Sequence, residues 1–320
     1  MGNENGFAMQ FEKPLIELEK KIEEIKAFGT EKNIDMSEEI ERLQAKAEIL
    51  KERIYKNLTP TQKVQVARHP KRPTFLEYVE LIFDDFIELH GDRLFKDDPA
   101  LVGGLAFLNG IPVTVLGQQK GRDTKENIAR NFGSPHPEGY RKALRLMKQA
   151  ERFRRPVITL VDVAGAYPGI EAEERGQGEA VARSIMEMAG LSTPVIVVIT
   201  GEGGSGGALA IAVGDRVLML EHAYYSVISP EGCASILWKD ASEAPKAAEV
   251  LQLTAEKLQE LKVVDEIISE PLGGIHRNKD QGAELIKEAL VRNLQEIIGL
   301  PAQELLQLRY EKFKKIGAYN

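Results

Sequence analysis

Two look-alike segments constrain this chain more than any other feature. PVITLVDVAGAYPG begins at Pro156 and PVIVVITGEGGSGG begins at Pro194, an offset of 38 residues. Each runs from five or six apolar residues into a glycine-bearing turn and then into a helical stretch. A strand with no polar alternation is buried on both faces, as in a sheet covered by helices. A strand, turn and helix unit recurring at a fixed interval therefore predicts an α/β fold of stacked, similarly oriented units.

The flanking sequence predicts the remaining elements. From Pro14 to Phe28, the residues Leu15, Leu18, Ile22 and Ile25 step by three and four along one helix face, with Pro14 in the first turn and Gly29 expected to end it. A second helix starting near Asp35 or Ser37 carries Ile40, Leu43, Ala47, Leu50 and Ile54. Residues 1–60 thus read as a helical hairpin that covers the body or a partner subunit. Residues 59–73, with three prolines and no acid, read as a linker into a body spanning 61–320. Asn109-Gly110 between Leu101–Phe107 and Ile111–Leu116 signals a hairpin. A helix is expected from Pro137 to Arg155, strands near 216–220, 223–228 and 263–268, and a helix capped by Ser229 with Pro230 in its first position. Two last helices, Lys279–Ile298 and Pro301–Ile316, read as covering helices.

Composition narrows the function. Of 28 glycines, three fall in residues 1–90 and ten lie between Gly165 and Gly207. The single cysteine, Cys233, excludes a disulfide framework or a cysteine-cluster metal site built from this chain, and fits a reducing, cytoplasmic setting. Five histidines without paired spacing predict no histidine metal site. A net charge of −7 argues against a generally basic nucleic-acid binder. Residues 119–155 nevertheless hold eleven Lys/Arg against four Asp/Glu, either a solvated face or a contact for an anionic partner. MGNENGFAMQ lacks the features of a secretory signal, and the long uncharged run Pro99–Gln119 reads as the hairpin rather than a membrane span.

The run Gly201-Glu202-Gly203-Gly204-Ser205-Gly206-Gly207 is the main candidate site. Glycines let a ligand atom approach backbone N–H groups, and a helix start adds positive potential, so such a run suits an oxyanion or phosphate. The alternative is that the glycines serve only tight helix–strand packing. The 165–169 turn is a weaker candidate in the same layer, and Tyr167 could equally be a core aromatic. There is no Gly-Lys-Ser/Thr for a Walker A loop, and no Gly-x-Gly-x-x-Gly occupies a first strand–helix turn followed by an acidic residue about twenty positions on, so the dinucleotide reading is weak. Gly203 to Gly207 does satisfy Gly-x-Ser-x-Gly, which makes a hydrolase elbow at Ser205 a rival reading, with His222 and His276 as the downstream histidines.

The strings GQQKGRDTKENIARNFGSPHPEGYRKALRLM (117–147), GAYPGIEAEERGQGEA (165–180), GEGGSGGALAIAVGD (201–215) and SVISPEGCASILWKD (226–240) resemble the alpha subunits of the carboxyltransferase component of bacterial acetyl-CoA carboxylase. The likeness covers most of the chain. It implies a crotonase-like spiral of β-β-α units as the 61–320 domain. The implied activity is transfer of a carboxyl group from carboxybiotin, borne by a separate biotin carboxyl carrier protein, to acetyl-CoA, giving malonyl-CoA for fatty acid synthesis. It further implies a beta subunit in an alpha2 beta2 assembly, biotin carboxylase in the larger complex, and an active site at the alpha–beta interface. The family's zinc belongs to the beta subunit, so no metal is expected in this chain. Carried onto these positions, Gly206 and Gly207 are the amides that stabilise the biotin ureido oxygen. Gly203, Gly204 and Ser205 then shape the turn, and Glu202 with Tyr167, Pro168 and Gly169 lines the pocket. A non-catalytic scaffold subunit is the remaining alternative.

Overall fold

The computed structural model describes residues 9–317. Most of the ten N-terminal residues read for a signal therefore lie outside the described residues. Helices α1 (Lys13–Lys32) and α2 (Ser37–Tyr55) pack side by side, burying Leu15 and Ile22 against Leu43 and Ala47. Contrary to expectation, α1 does not stop at Gly29. It runs on until Asn33, which takes the left-handed conformation (φ 53°) that asparagine tolerates. Gly29 instead makes room for the returning chain, since a Cβ there would lie 3.0 Å from the Ile34 carbonyl oxygen.

Residues 59–73 are not a linker. They open α3 (Pro60–Ala67) with a capping box in which Thr59 Oγ1 accepts from the Gln62 N–H and Gln62 Oε1 from the Thr59 N–H, with Pro60 at the first position. Val64 and Ala67 pack against Tyr224 and Leu253. Three of its cations pair with acids distant in the chain: Lys63 with Glu256, Arg68 with Glu202 and Glu231, and Arg72 with Glu270.

The body follows as α4 (Phe75–Ile82), β1 (Asp84–Glu88), β2 (Leu101–Leu108), β3 (Ile111–Gln118), α5 (Thr124–Ala129), α6 (Pro137–Arg152) and β4 (Val157–Val163). The chain continues through α7 (Ile170–Glu174), α8 (Gln177–Ala189), β5 (Val195–Gly204), α9 (Ser205–Leu209), β6 (Arg216–Leu220), β7 (Tyr224–Ser226) and α10 (Pro230–Leu237). The last elements are α11 (Ala244–Val250), α12 (Ala255–Glu260), β8 (Glu266–Ile268), α13 (Lys279–Ile297) and α14 (Ala302–Lys314). The expected hairpin closes through Asn109 and Gly110, both with positive φ (50° and 78°), as a two-residue primed turn requires. Ser229 caps α10 by accepting from the Gly232 N–H at 3.1 Å.

The strands form one sheet in the order β1-β2-β3-β4-β5-β6-β8, with β7 paired to the end of β5. The first three strands are antiparallel, and β3, β4, β5, β6 and β8 run parallel. The 38-residue offset is a register: Val157 pairs with Val195, Ile158 with Ile196 and Val161 with Ile199. Beyond Val161 the pairing slips, and Val163 faces Gly203. That bulge lies where the two glycine-bearing segments begin, so it re-aims both strand ends. β4 is almost wholly buried and β5 wholly so, as their unbroken apolar runs require.

Helix α14 covers the body through a buried arginine. Arg309 binds both carboxylate oxygens of Asp215 (2.9 and 2.7 Å) and donates to the carbonyls of Met188, Ala189, Leu191 and Thr193 at the end of α8 and in the loop beyond. A cation suits these unsatisfied terminal carbonyls.

Candidate active site

The glycine run is not one turn. Gly201 to Gly204 continue β5, and the change of direction falls on Ser205 alone, which has φ 52° and starts α9. Helix α9 therefore begins within the glycine run itself. Several of the glycines are needed for packing. A Cβ on Gly201 would lie 2.5 Å from Asp162 Oδ1, one on Gly204 1.9 Å from the Ala164 carbonyl oxygen, and one on Gly207 2.4 Å from the Ala166 nitrogen. These contacts bring the 203–207 run onto the 164–166 backbone. Gly206 differs, since its nearest contact is Val181 Cγ1 at 3.3 Å, and a Cβ on Gly165 would have nothing within 4 Å.

The 165–169 turn is held from outside. The Tyr167 N–H donates to the Pro135 carbonyl (3.1 Å), and Gln177 Nε2 donates to the carbonyls of both Tyr167 and Pro135 (2.9 Å each). The Tyr167 ring stacks on His136 with centroids 4.5 Å apart. It is thus a partly exposed rim aromatic rather than a core one. Pro168 is exposed, and Gly169 is the residue before α7, where a Cβ would run into the Tyr167 ring at 2.3 Å.

Glu202 occupies a different setting. It is buried, and its carboxylate accepts from Lys120 Nζ (2.9 Å), Arg68 Nε (2.7 Å) and Tyr224 OH (2.6 Å), while Lys120 also binds Asp162 (2.7 Å). Burial pushes its pKa up, but the charges of Lys120 and Arg68 and the Tyr224 hydroxyl override this and hold it down to about 2. Glu202, Lys120, Arg68 and Asp162 border a cavity of about 280 Å³ at the carboxyl ends of β3, β4 and β5, which Arg122 and Phe132 also line. The structure therefore joins Gly165–Gly169 to Gly203–Gly207 but places the Glu202 side chain in the neighbouring ionic cavity. Sequence reasoning missed Arg68, Asp162 and Tyr224 because their partners are far away in the chain.

Much of the basic 119–155 stretch is occupied by contacts within the chain, while Lys125, Arg152 and Arg154 are exposed. Lys142 is fully buried on Asp97 (2.6 Å) and the Asp98 carbonyl (2.8 Å), Arg141 binds Asp92 and Glu138, and Arg122, Arg130 and Arg145 donate to backbone carbonyls. These cations fix loops around the site.

Ser205 has the backbone of a hydrolase elbow and is exposed, but no histidine among the described residues hydrogen-bonds to it. His222 packs on Tyr55 (5.7 Å), His276 stacks on His69 (4.0 Å), His136 on Tyr167, and His90 binds Asp97. Among the described residues no three His, Cys, Asp or Glu side chains are grouped to hold a metal, and no helix is long and apolar enough to cross a membrane.

A parallel core whose strand ends meet in glycine-bearing turns is the architecture of the crotonase-like carboxyltransferases, and solved structures of that class superpose on this chain. Transcarboxylase 12S with methylmalonyl-CoA and methylmalonic acid matches with a TM-score of 0.53 at 20% identity, covering 72% of this chain and 45% of the other. The beta subunit of Pseudomonas aeruginosa geranyl-CoA carboxylase matches with 0.56 at 18%, covering 77% and 45%. Sequence narrows the class. The family model described as acetyl co-enzyme A carboxylase carboxyltransferase-like matches residues 8–317. The acetyl-CoA carboxylase carboxyl transferase alpha subunit of Anoxybacillus flavithermus is 59% identical over 98% of this chain and 96% of its own length, and that of Geobacter metallireducens is 58% identical over 98% of each. The chain belongs to the acetyl-CoA carboxylase carboxyltransferase alpha-subunit family.

Proposed function

We propose that this chain is the alpha half of a carboxyltransferase that moves a carboxyl group from carboxybiotin, on a separate carrier protein, to acetyl-CoA, giving malonyl-CoA, and that it acts only with a beta subunit. One observation carries the reading: the close backbone approach of the 164–166 and 203–207 segments, which puts the start of α9 beside an unobstructed Gly165.

The chemistry that carboxybiotin supplies is a carboxyl group whose departure leaves negative charge on an oxygen. The N–H groups of Gly206 and Gly207 lie in the first turn of α9, where no carbonyl four residues earlier lies within the helix to accept them. Aimed at that oxygen, each would stabilise the developing charge by about 3 kcal/mol without reorganising at the moment of reaction. The open face of Gly165 leaves room for a flat ring above the turn, so the residues present fit the group. Gly203 and Gly204 shape the approach, Ser205 makes the reversal, and Tyr167, Pro168 and Gly169 form the rim. Glu202 contributes from below: its N–H donates to Asp162 Oδ1 (2.8 Å), fixing the β5 end across the bulge.

The test is malonyl-CoA formation from acetyl-CoA and carboxybiotin by this chain mixed with its beta subunit, with little from either alone. Ser205→Ala should keep the activity, and a fluorophosphonate should leave Ser205 unlabelled. Labelling of Ser205 with loss of activity in Ser205→Ala would support the hydrolase reading instead.

A further inference from the structure

We propose that Gln118 is a positioning residue for the carboxyl transfer, its side-chain amide locking the two glycine-bearing segments into one frame. The inference rests on the reading of Gly206 and Gly207 as the donor amides.

Gln118 is the last residue of β3 and is buried. Backbone pairing of β3 with β4 ends one residue earlier, at Gly117 and Leu160. The side chain then takes over from the ladder. Its Oε1 accepts from the Asp162 N–H (3.2 Å), and its Nε2 donates to the Gly207 carbonyl (3.2 Å), which Tyr140 OH also approaches at 3.4 Å. One planar amide thus bridges the β4 end, at the bulge, and the residue whose N–H is assigned to the oxyanion.

Gly207 needs such a tether. The described backbone donors that close α9 pass it over: Ala210 N–H bonds to Gly206, Ile211 N–H to Ala208 and Ala212 N–H to Leu209. Having no Cβ, glycine has two soft torsions that only its contacts restrict. A donor fixed on its carbonyl sets the plane on one side of the α-carbon and so limits where the N–H on the other side can point. Positional errors of well under an ångström matter for such donors. The neighbouring carbonyls are tied differently, Ala210 by Ser184 Oγ (2.6 Å) and Ile211 by Thr159 Oγ1 (2.8 Å). Those bonds hold the chain just past the short helix without touching Gly207, which makes Ser184 a built-in structural control.

The experiment uses the alpha–beta complex and measures carboxyl transfer. Gln118→Met keeps the side-chain length and removes the donor, and should lower kcat roughly tenfold with KM for the acyl-CoA unchanged. Ser184→Ala should lower the melting temperature with kcat within about twofold. Gln118→Glu supplies a readout that folding alone would not move. As a carboxylate it cannot donate to Gly207, whereas the protonated acid can, and burial raises its pKa toward neutrality. Its rate relative to the unaltered complex should therefore climb several-fold from pH 8.5 to pH 6. A flat ratio, or a Gln118→Met complex with unchanged kcat, overturns the role of Gln118. If Gly207→Val is inactive in the same assay the underlying reading stands regardless, and if Gly207→Val is fully active both fall.

Discussion

The Cβ position of Gly207 falls 2.4 Å from the backbone nitrogen of Ala166, closer than any real side chain sits to a neighbouring backbone. The two glycine-bearing segments are therefore joined backbone to backbone, and the glycines between them divide by what they face. Gly204, whose Cβ would lie 1.9 Å from the Ala164 carbonyl oxygen, has no room for a methyl group. Gly204→Ala should destabilise the chain by about 3 kcal/mol or more, while Gly206→Ala, meeting only the end of Val181, should cost about 1 kcal/mol or less. Urea denaturation of the two purified variants checks the contrast.

The Glu202 cluster is a buried ionic network. Glu202→Ala would leave Lys120 and Arg68 with one partner fewer and is expected to cost about 3–5 kcal/mol in the same measurement. Glu202 and Glu270, the latter held by Arg72 and the His222 side against its own burial, both ionise at about 2 in the folded chain. Their contribution is complete above the ordinary glutamate value near 4.5 and is lost as the pH falls toward 2. Acid unfolding followed by circular dichroism should show this fall, and Glu202→Gln should make it shallower.

A second pH dependence begins nearer neutrality. Burial lowers the pKa of His69, His222 and His276, the last to about 3 with the further help of His69 and Arg72. The unfolded chain takes up protons near 6.5 that the folded chain refuses, so stability is full above that value and declines below it, by up to about 1.4 kcal/mol per pH unit for each histidine. For His276 the decline ends near pH 3. Denaturation midpoints between pH 8 and 5 should fall, and His276→Phe should reduce the slope.

Arg309 holds α14 on the body. Arg309→Leu leaves the buried Asp215 carboxylate with the Val195 N–H (2.8 Å) and takes a donor from each of four carbonyls. A loss of about 3–5 kcal/mol is expected, and hydrogen exchange should show α14 and the end of α8 opening together.

Much of this was legible because it is local or periodic. The 38-residue offset reads directly as the register of Val157 on Val195, since two similar segments that form adjacent parallel strands pair like residue with like. Asn109-Gly110 and Ser229-Pro230 act through their own backbone. The failures have equally physical causes. Pro60 reads as a linker mark by itself, although Thr59 and Gln62 around it form a capping box that the sequence displays. Gly29 reads as a helix end, yet a single glycine is tolerated where a returning chain needs its space. The basic run could not be assigned because the partners of Lys120, Asp162 and Glu202, lie 42 and 82 positions away. Within the glycine run, Gly204 and Gly207 meet the backbone just past β4, and Gly206 stays clear of it.

The central claim is that backbone N–H groups at the start of α9 stabilise the transferred charge, and the complex of this chain with its beta subunit tests it most directly through the rate of malonyl-CoA formation with Gly207→Val in the alpha chain. A complex that still assembles but transfers carboxyl at least a hundredfold more slowly, and far more slowly than a Gly204→Ala complex that crowds the same 164–166 backbone, is the predicted result. Assembly with an undiminished rate would contradict the account.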